Sequence, residues 1–383
     1  MPTGGGKTFV GAEIARAALA RGRGVLWLTH RVELVAQAIG ANGAGVDVRT
    51  VQGLLTSGDR PPAHFVVVDE CHNFIADQFA SVIRDYPDAF VLGLTATPER
   101  GDGRGLGEMF ERVVIGATTR ELVDAGLLVH AEILRPHVKL RAGQIAASPV
   151  TAYAKLARGR RAISFTSSVS AATDHAVQFH AAGFRTEVIS GETPKAKRVD
   201  IVARYRAGEM DVLNNCFVLT EGFDAPETSC IIIARGCGTL GTYLQIVGRG
   251  LRIAPNKTDC LVLDLNGVSH VHGHPEDSLY VSLDGRGMRR TKADVNRYCA
   301  VCGAIFATPP CRDCGSVAEP VGSPRVTGSA LEKFERRQKE TPEERAQCLR
   351  GLYRTRTPAQ ARAIYRSMFK HWPTADVERM ARR

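Results

Sequence analysis

The chain opens on Pro2-Thr3-Gly4-Gly5-Gly6-Lys7-Thr8, followed at once by a helical pattern. Gly4, Gly5 and Gly6 let backbone N–H groups close around phosphate oxygens. Lys7 supplies a point charge for the β and γ phosphates of a nucleotide, and the Thr8 hydroxyl can hold Mg2+. A plain glycine turn has no need of Lys-Thr at that place. One departure from the phosphate-loop pattern is Met1, which stands five before Gly6 where Gly or Ala is usual. Further along, the apolar run Phe65-Val66-Val67-Val68 ends in Asp69-Glu70-Cys71-His72. An apolar strand ending in two carboxylates is a second metal-binding element: Asp69 reaches Mg2+, directly or through water, and Glu70 orients and deprotonates an attacking water. Alone, such a pair is most often a solvated strand end, and its place after a phosphate loop in a strand–helix series favours the catalytic reading.

Two arginines complete that chemistry. Arg249 and Arg252 are three apart on an expected helix, so they share a face and both reach one phosphate, with Gln245 and Gly248 beside them. Supplied from a neighbouring domain, they neutralise charge on a transferring γ-phosphoryl only when the domains close. Thr220, with Gly222 allowing close backbone approach, suits a phosphate of a bound strand. His270, His272 and His274 alternate beside Gly273 and Pro275, which reads as a solvated loop rather than a metal site.

Alternating elements must position these groups. Brief β-branched or aromatic runs bounded by turn residues predict buried parallel strands over Val25 to Leu28, Phe65 to Val68 and Phe90 to Leu94. Helical spacing covers Thr8 to Ala20 and Arg31 to Ile39. A second series has strands at Ala162 to Phe165, Glu187 to Ile189, Asp211 to Leu213, Cys230 to Ala234 and Cys260 to Leu265. Helices at Ala171 to Ala181, Pro194 to Ala207 and Thr242 to Val247 separate them. Regular alternation implies βαβ units and parallel sheets covered on both faces, hence two α/β domains in tandem. The pattern loosens between Gly116 and Pro149, where the junction is expected.

The length of 383 residues accommodates two cores plus smaller units, and 44% hydrophobic residues argue against disorder. No apolar run approaches the ~18 residues of a membrane span. Met1 to Gly6 carries no basic or apolar leader pattern, so the chain reads as cytoplasmic with no membrane partner. Residues 286–383 hold 21 basic and 10 acidic residues, leaving 29 and 30 for the rest. A neutral body with so basic a tail suggests a polyanionic partner, nucleic acid above all. Glu332 to Arg354 alternates charge at helical spacing, an exposed helix that could lie along a phosphate backbone.

Cys71, Cys216, Cys230, Cys237, Cys260 and Cys348 are scattered and read as reduced core thiols. Cys299, Cys302, Cys311 and Cys314 form C-x2-C, eight residues, then C-x2-C, each pair followed by Gly. Four thiolates in a reducing compartment make a closed structural Zn2+ site whose metal supplies most of the folding energy of so small a unit. An iron–sulfur cluster or a redox pair is the alternative.

Over residues 1 to 270 the motifs, in order, resemble superfamily 2 helicases and translocases of the DExH type. Thr29-His30-Arg31 and Thr50-Val51-Gln52 look like the strand-contacting motifs of the first domain, and Gly93-Leu94-Thr95-Ala96-Thr97-Pro98 like the motif that couples hydrolysis to movement. Phe165-Thr166 and Ser190-Gly191-Glu192-Thr193 sit where that family touches the nucleic-acid backbone. Leu219 to Pro226 resembles motif V and Gln245 to Arg252 motif VI. Each motif alone is weak; their joint order is specific. With the cysteine cluster and the Tyr365 to Pro373 segment, the chain also resembles bacterial RadD-type repair helicases and related phage enzymes.

The resemblance implies two tandem RecA-like parallel-sheet domains at 1–125 and 126–280, a zinc ribbon at 290–320 and a basic helical tail at 321–383. It implies ATP and Mg2+ as cofactors beside structural Zn2+, with Asp224 at the nucleotide ribose. Thr29, Arg31, Thr50, Gln52, Thr166, Gly191 and Thr220 would touch the strand. The implied activity is an ATP-dependent helicase or translocase, on DNA in preference to RNA, in repair, recombination or replication. It would be a bacterial or phage-encoded monomer with a repair or replication partner. The competing reading is a nucleic-acid binding or annealing protein with an impaired ATPase, because the sequence begins at the loop itself. A phosphate loop normally follows a central strand. No such strand and no adenine-reading segment precede this one, so Met1 is expected to be a misplaced start or a truncation that leaves an unpaired sheet edge.

Overall fold

Runs of Val, Leu, Ile and Phe too short for helices form the central strands, which are buried on both faces as the inner strands of a parallel sheet must be. The computed structural model describes residues 1–30, 45–74, 76–97, 105–138, 140, 144–216, 219, 224–277, 283, 325–335, 342, 345–346, 349–350, 357–369 and 372–382. In the first half, α1 (Lys7–Leu19) leads to β1 (Val25–Thr29), β2 (Val46–Thr50), α2 (Val51–Ser57), β3 (Phe65–Asp69), α3 (Ala76–Arg84) and β4 (Phe90–Leu94). The strands form one parallel sheet ordered β2-β1-β3-β4. Every residue of β1 and β3 is buried. At the edges, β2 is half-buried, its Arg49 paired with Asp47 at 2.8 Å and Asp59 at 2.7 Å. β4 leaves Phe90 65% exposed, stacked on Phe65.

The second half runs α4 (Thr119–Asp124), β5 (His130–Pro136), β6 (Gln144–Ile145), α5 (Pro149–Leu156), β7 (Ala162–Phe165), α6 (Val169–Ala181), β8 (Thr186–Ile189), α7 (Lys195–Ala207), β9 (Val212–Asn215), β10 (Cys230–Ile233), α8 (Leu240–Gly248), β11 (Asp259–Asp264) and α9 (Ser269–His272). After these come β12 (Arg325–Val326), β13 (Leu331–Phe334), α10 (Pro358–Phe369) and α11 (Ala375–Arg382). Seven strands form a sheet ordered β13-β5-β11-β10-β7-β9-β8, parallel except for β13. One core on this sheet gathers Ile163, Ile231, Ile233, Tyr243 and Val262, and the other gathers Tyr153, Phe179, Ile232 and Leu263. The expected strands and helices of both series that lie among the described residues are present, with ends shifted by three residues or fewer.

Three expectations need correction. The loosened stretch from Gly116 to Pro149 holds α4, β5 and β6 as well as connections; Leu122 packs into the second core and β5 pairs β11 over five residues. Polar residues in β5 hid it: His130 and Glu132 break the apolar run, yet the inward-facing Ala131 and Ile133 are fully buried. The helical reading beginning at Glu332 fails at its start, because Leu331–Phe334 is an antiparallel edge strand on β5. There Glu332 meets His137 at 2.6 Å and Lys333 meets Glu132 at 3.2 Å, so the alternating charge serves cross-strand pairs. The three histidines are not solvated: His270 and His272 bond the carbonyls of Pro136 and Cys237 at 2.8 Å, and His274 is buried. Cys71, Cys216, Cys230, Cys237 and Cys260 are free, buried thiols as expected. Among the described residues no helix is long and apolar enough to cross a membrane.

Candidate active site

The phosphate loop is built by glycine. Gly4 and Gly6 have φ of 80° and 82°, the left-handed region that side chains rarely adopt, and Gly6 caps α1 without a side-chain bond. Gly5 N–H donates to the Pro2 carbonyl at 3.1 Å, closing the turn. The first N–H groups of α1 thus have no side-chain acceptor of their own, the usual basis of an anion site at a helix start. Lys7 is buried, its Nζ 3.4 Å from the Pro2 carbonyl and 3.8 Å from Glu70 Oε1.

Consecutive residues of a strand face opposite ways, so Asp69 and Glu70 share a site only if the chain turns between them. It does: Glu70 sits at φ 49°, one of two non-glycine residues with positive φ among those described, and its N–H donates to Asp69 Oδ1 at 3.0 Å. Burial, and next the Glu70 charge, push the Asp69 carboxyl up to about 6, with Lys7 opposing. A buried carboxylate held against its neighbours in this way, beside a lysine and a glycine cradle, is a donor set that suits a Mg2+–triphosphate.

From Glu70 a polar chain runs outward. Glu70 Oε2 lies 3.4 Å from His72 Nδ1, and His72 Nδ1 lies 2.9 Å from Thr95 Oγ1. The Thr95 hydroxyl donates to the Thr97 carbonyl at 2.6 Å and accepts from Thr97 N–H. On its other side His72 Nε2 meets Gln245 Nε2 of α8 at 3.3 Å. The sequence reading gave His72 no role; its signal was a polar ring two residues after the carboxylate Glu70. The halves also meet where α8 reaches the loop. A Cβ on Gly248 would stand 2.6 Å from Thr3 Cβ, and one on Gly4 3.4 Å from Arg252 Cγ.

The expected shared helical face of Arg249 and Arg252 is not formed. α8 ends at Gly248, Arg249 is its buried C-terminal cap, and Arg252 lies beyond, in a bridge with Leu128. Just past the helix end, Gly250 runs so close to Cys260 and Ile231 that no side chain would fit there. Arg252 forms an ion pair with Asp224, which Arg206 also approaches at 3.9 Å. Arg252 still comes from the second half to the side of the phosphate loop, and Arg249 directly follows Gly248, which abuts Thr3.

The strand-contacting residues divide. Gln52 and Gly191 are exposed, while Thr50 caps α2 by accepting from Gly53 N–H at 3.0 Å. Thr29 and Thr166 are fully buried, and the Thr166 hydroxyl is committed to the Ser168 and Asn215 carbonyls at 3.1 Å. In this arrangement neither threonine side chain faces a ligand, which corrects the expectation for both. Arg31, Thr220 and the cysteines Cys299, Cys302, Cys311, Cys314 and Cys348 lie outside the described residues.

The model of the helicase conserved C-terminal domain matches residues 147–254, and that of the type III restriction enzyme res subunit matches residues 46–100. A 51.5 kDa protein of Lactococcus phage (isolate 7-9) is 29% identical over 303 residues, 72% of this chain and 66% of the phage protein. A Saccharomyces cerevisiae protein provisionally named ATP-dependent helicase IRC3 is 26% identical over 254 residues, 58% of this chain but 37% of the yeast one. In fold, a fragment assigned provisionally as the HsdR subunit of a type I restriction enzyme from Vibrio vulnificus YJ016 superposes with a TM-score of 0.59 at 20% identity, covering 74% of this chain and 64% of that one. With phosphate loop, carboxylate pair and C-terminal helicase segment in one order, these likenesses support a superfamily 2 helicase-type protein.

Proposed function

We propose that this chain is an ATP-dependent nucleic-acid translocase or helicase, with DNA its substrate in repair, recombination or replication. One observation carries the reading: the contacts Lys7–Glu70–His72–Gln245 join the phosphate loop and carboxylates of the first half to α8 of the second. Such a chain makes the state of the water-activating carboxylate depend on how the halves sit, which is what coupling hydrolysis to movement requires. The restriction-enzyme names of two matches favour DNA. We place the division between the motor domains just ahead of α4, a few residues before the expected 125, because Leu122 packs into the second core.

Gly4, Gly5, Gly6, Lys7 and Thr8 would bind the phosphates, with Asp69 and Thr8 holding Mg2+, which neutralises phosphate charge when bound. Glu70 takes the proton from the attacking water. Arg249 and Arg252 offset charge on the γ-phosphoryl when the halves close, and the Arg252 ion pair holds Asp224 near the loop, where it can meet the ribose. Gln52, Gly191, Arg31 and Thr220 are the positions assigned to the strand. Glu70→Gln keeps shape and nucleotide binding while removing the base, so it should bind ATP normally and hydrolyse none; turnover at the wild-type rate would overturn the assignment.

Cys299, Cys302, Cys311 and Cys314 hold one structural Zn2+, on the strength of their spacing. Metal analysis should find one zinc per chain, released by Cys302→Ser; iron, or no metal, would remove the ribbon. The protein acts as a cytoplasmic monomer in this reading, with a repair or replication protein as partner.

A further inference from the structure

The C-terminal helices form a unit of their own. Ala346, Leu349, Ala361, Tyr365, Val377 and Ala381 make a small buried core. Arg362 bridges α10 to α11 with two bonds to Glu378, at 2.6 and 2.7 Å, and Arg350 Nη2 closes the end of α11 on the Met380 carbonyl at 2.5 Å. Thr374 starts α11, its carbonyl accepting from Glu378 N–H at 3.0 Å. The two helices are thereby held together, and Trp372 stands just ahead of α11.

Trp372 is 52% exposed, the largest side chain among the exposed apolar residues described, whereas the chain's other tryptophan, Trp27, is fully buried in β1. The guanidinium of Arg366 lies 4.9 Å from the Trp372 ring centroid. Keeping an indole half in water is unfavourable for a small unit with little core to spare. The sequence around it is cationic: residues 357–382 hold five basic residues against two acidic ones. Both acidic groups are engaged internally, Glu378 with Arg362 and Asp376 with Arg379 at 2.5 Å. A rigid aromatic surface with a stacked guanidinium in a positive field is the arrangement that receives an unpaired base and its phosphate.

We propose that Trp372 and Arg366 form a base-stacking platform for single-stranded nucleic acid, a contact outside the motor cleft. This rests on the reading of the chain as a nucleic-acid motor and adds where the strand is held when the motor is not gripping it. An acidic protein segment would be drawn by the same charge but gains nothing from an aromatic face presented for stacking.

The two tryptophans make the test direct. In Trp27→Phe only Trp372 emits, and the substitution abandons no hydrogen bond, because the Trp27 Nε1 has no partner. A dye-labelled dT oligomer is titrated into this full-length variant without nucleotide, with tryptophan emission and dye anisotropy read together. An abasic oligomer of equal length and charge serves as control. The proposal expects dT to quench Trp372 emission in step with binding and the abasic oligomer to leave it unchanged. Trp372→Ala in the otherwise wild-type chain should weaken dT binding about 5-fold or more, with Trp372→Phe recovering most of it. Should the abasic oligomer quench equally, the contact is charge alone and the platform is refuted. Binding by anisotropy with no change in Trp372 emission also refutes it while leaving the motor reading intact; absence of any binding would sink both. If Trp27→Phe does not fold, the difference in quenching between wild type and Trp372→Phe decides the same question.

Discussion

Replacing Gly248 with alanine sets a local gain against a distant clash. Gly248 is the last residue of α8, and alanine in a helix is favoured over glycine by ~0.5–1 kcal/mol. The new Cβ, however, would lie 2.6 Å from Thr3 Cβ and 2.9 Å from Thr3 Cγ2. Carbon atoms rest at ~3.5–4.0 Å, so a gap of about 1 Å must open between α8 and the phosphate loop. Were both groups in one core, overpacking would cost ~1–3 kcal/mol of stability. They belong to separate sheets, so the strain is relieved by moving the halves apart, and neither core need loosen. Displacement of about 1 Å at a reacting centre costs ~10²-fold in rate. Gly248→Ala should therefore lower kcat for ATP hydrolysis by about 10²-fold while leaving the thermal transition at or slightly above that of wild type. Thr3→Gly in the same chain should restore part of the rate, a coupling that a double-mutant cycle measures. If Gly248→Ala hydrolyses ATP within about threefold of wild type, or unfolds at lower temperature, the contact between α8 and the loop is not what sets the geometry.

Arg249→Ala should cut turnover roughly 10³-fold with ATP affinity nearly intact, as for an arginine that acts on the γ-phosphoryl, and an effect of tenfold or less would count against that role. Arg252→Ala should also disturb nucleotide affinity, since it releases Asp224; a KM unchanged within about twofold would separate the ion pair from the nucleotide site. Burial lowers the pKa of His175 on α6 below 6.5, and its Nδ1 has no partner. The unfolded chain then takes up a proton as pH falls through 6.5 while the folded chain does not, so stability is lost on the acid side. His175→Phe should flatten the stability profile below pH 6.5, seen by chemical denaturation at several pH values; an unchanged slope would assign the loss to other groups.

Elements whose apolar residues are contiguous were legible in the sequence, and those whose polar residues serve pairing were not. Phe65-Val66-Val67-Val68 and Cys230-Ile231-Ile232-Ile233 announce strands, and both are buried throughout. β2 and β13 did not announce themselves, because their edge charges break the apolar pattern: Asp47 and Arg49 pair within β2, Arg49 also with Asp59, while Glu332 and Lys333 pair with His137 and Glu132. The site shows the same division. Lys7, Asp69 and Glu70 were identifiable from residue type and spacing, and they meet in space. His72 escaped because its importance lies in joining Thr95 and Gln245, residues 23 and 173 positions away. Thr29 and Thr166 were overread: motif position put them near a ligand, but strand-end packing turns them inward. Helical spacing of Arg249 and Arg252 misled because the helix ends at Gly248, ahead of both, and the close packing of Gly250 on Cys260 and Ile231 just beyond it is something no local pattern reveals.

Coupling between the carboxylate pair of the first sheet and the helix of the second runs through His72 and Gln245. It is tested most directly by measuring ATP hydrolysis by the purified chain as single-stranded DNA is added, alongside Gln245→Ala. Turnover should rise severalfold with DNA in the wild-type chain, and Gln245→Ala should retain its DNA-free rate while losing most of that stimulation. Hydrolysis indifferent to DNA, or stimulation undiminished in Gln245→Ala, would contradict it.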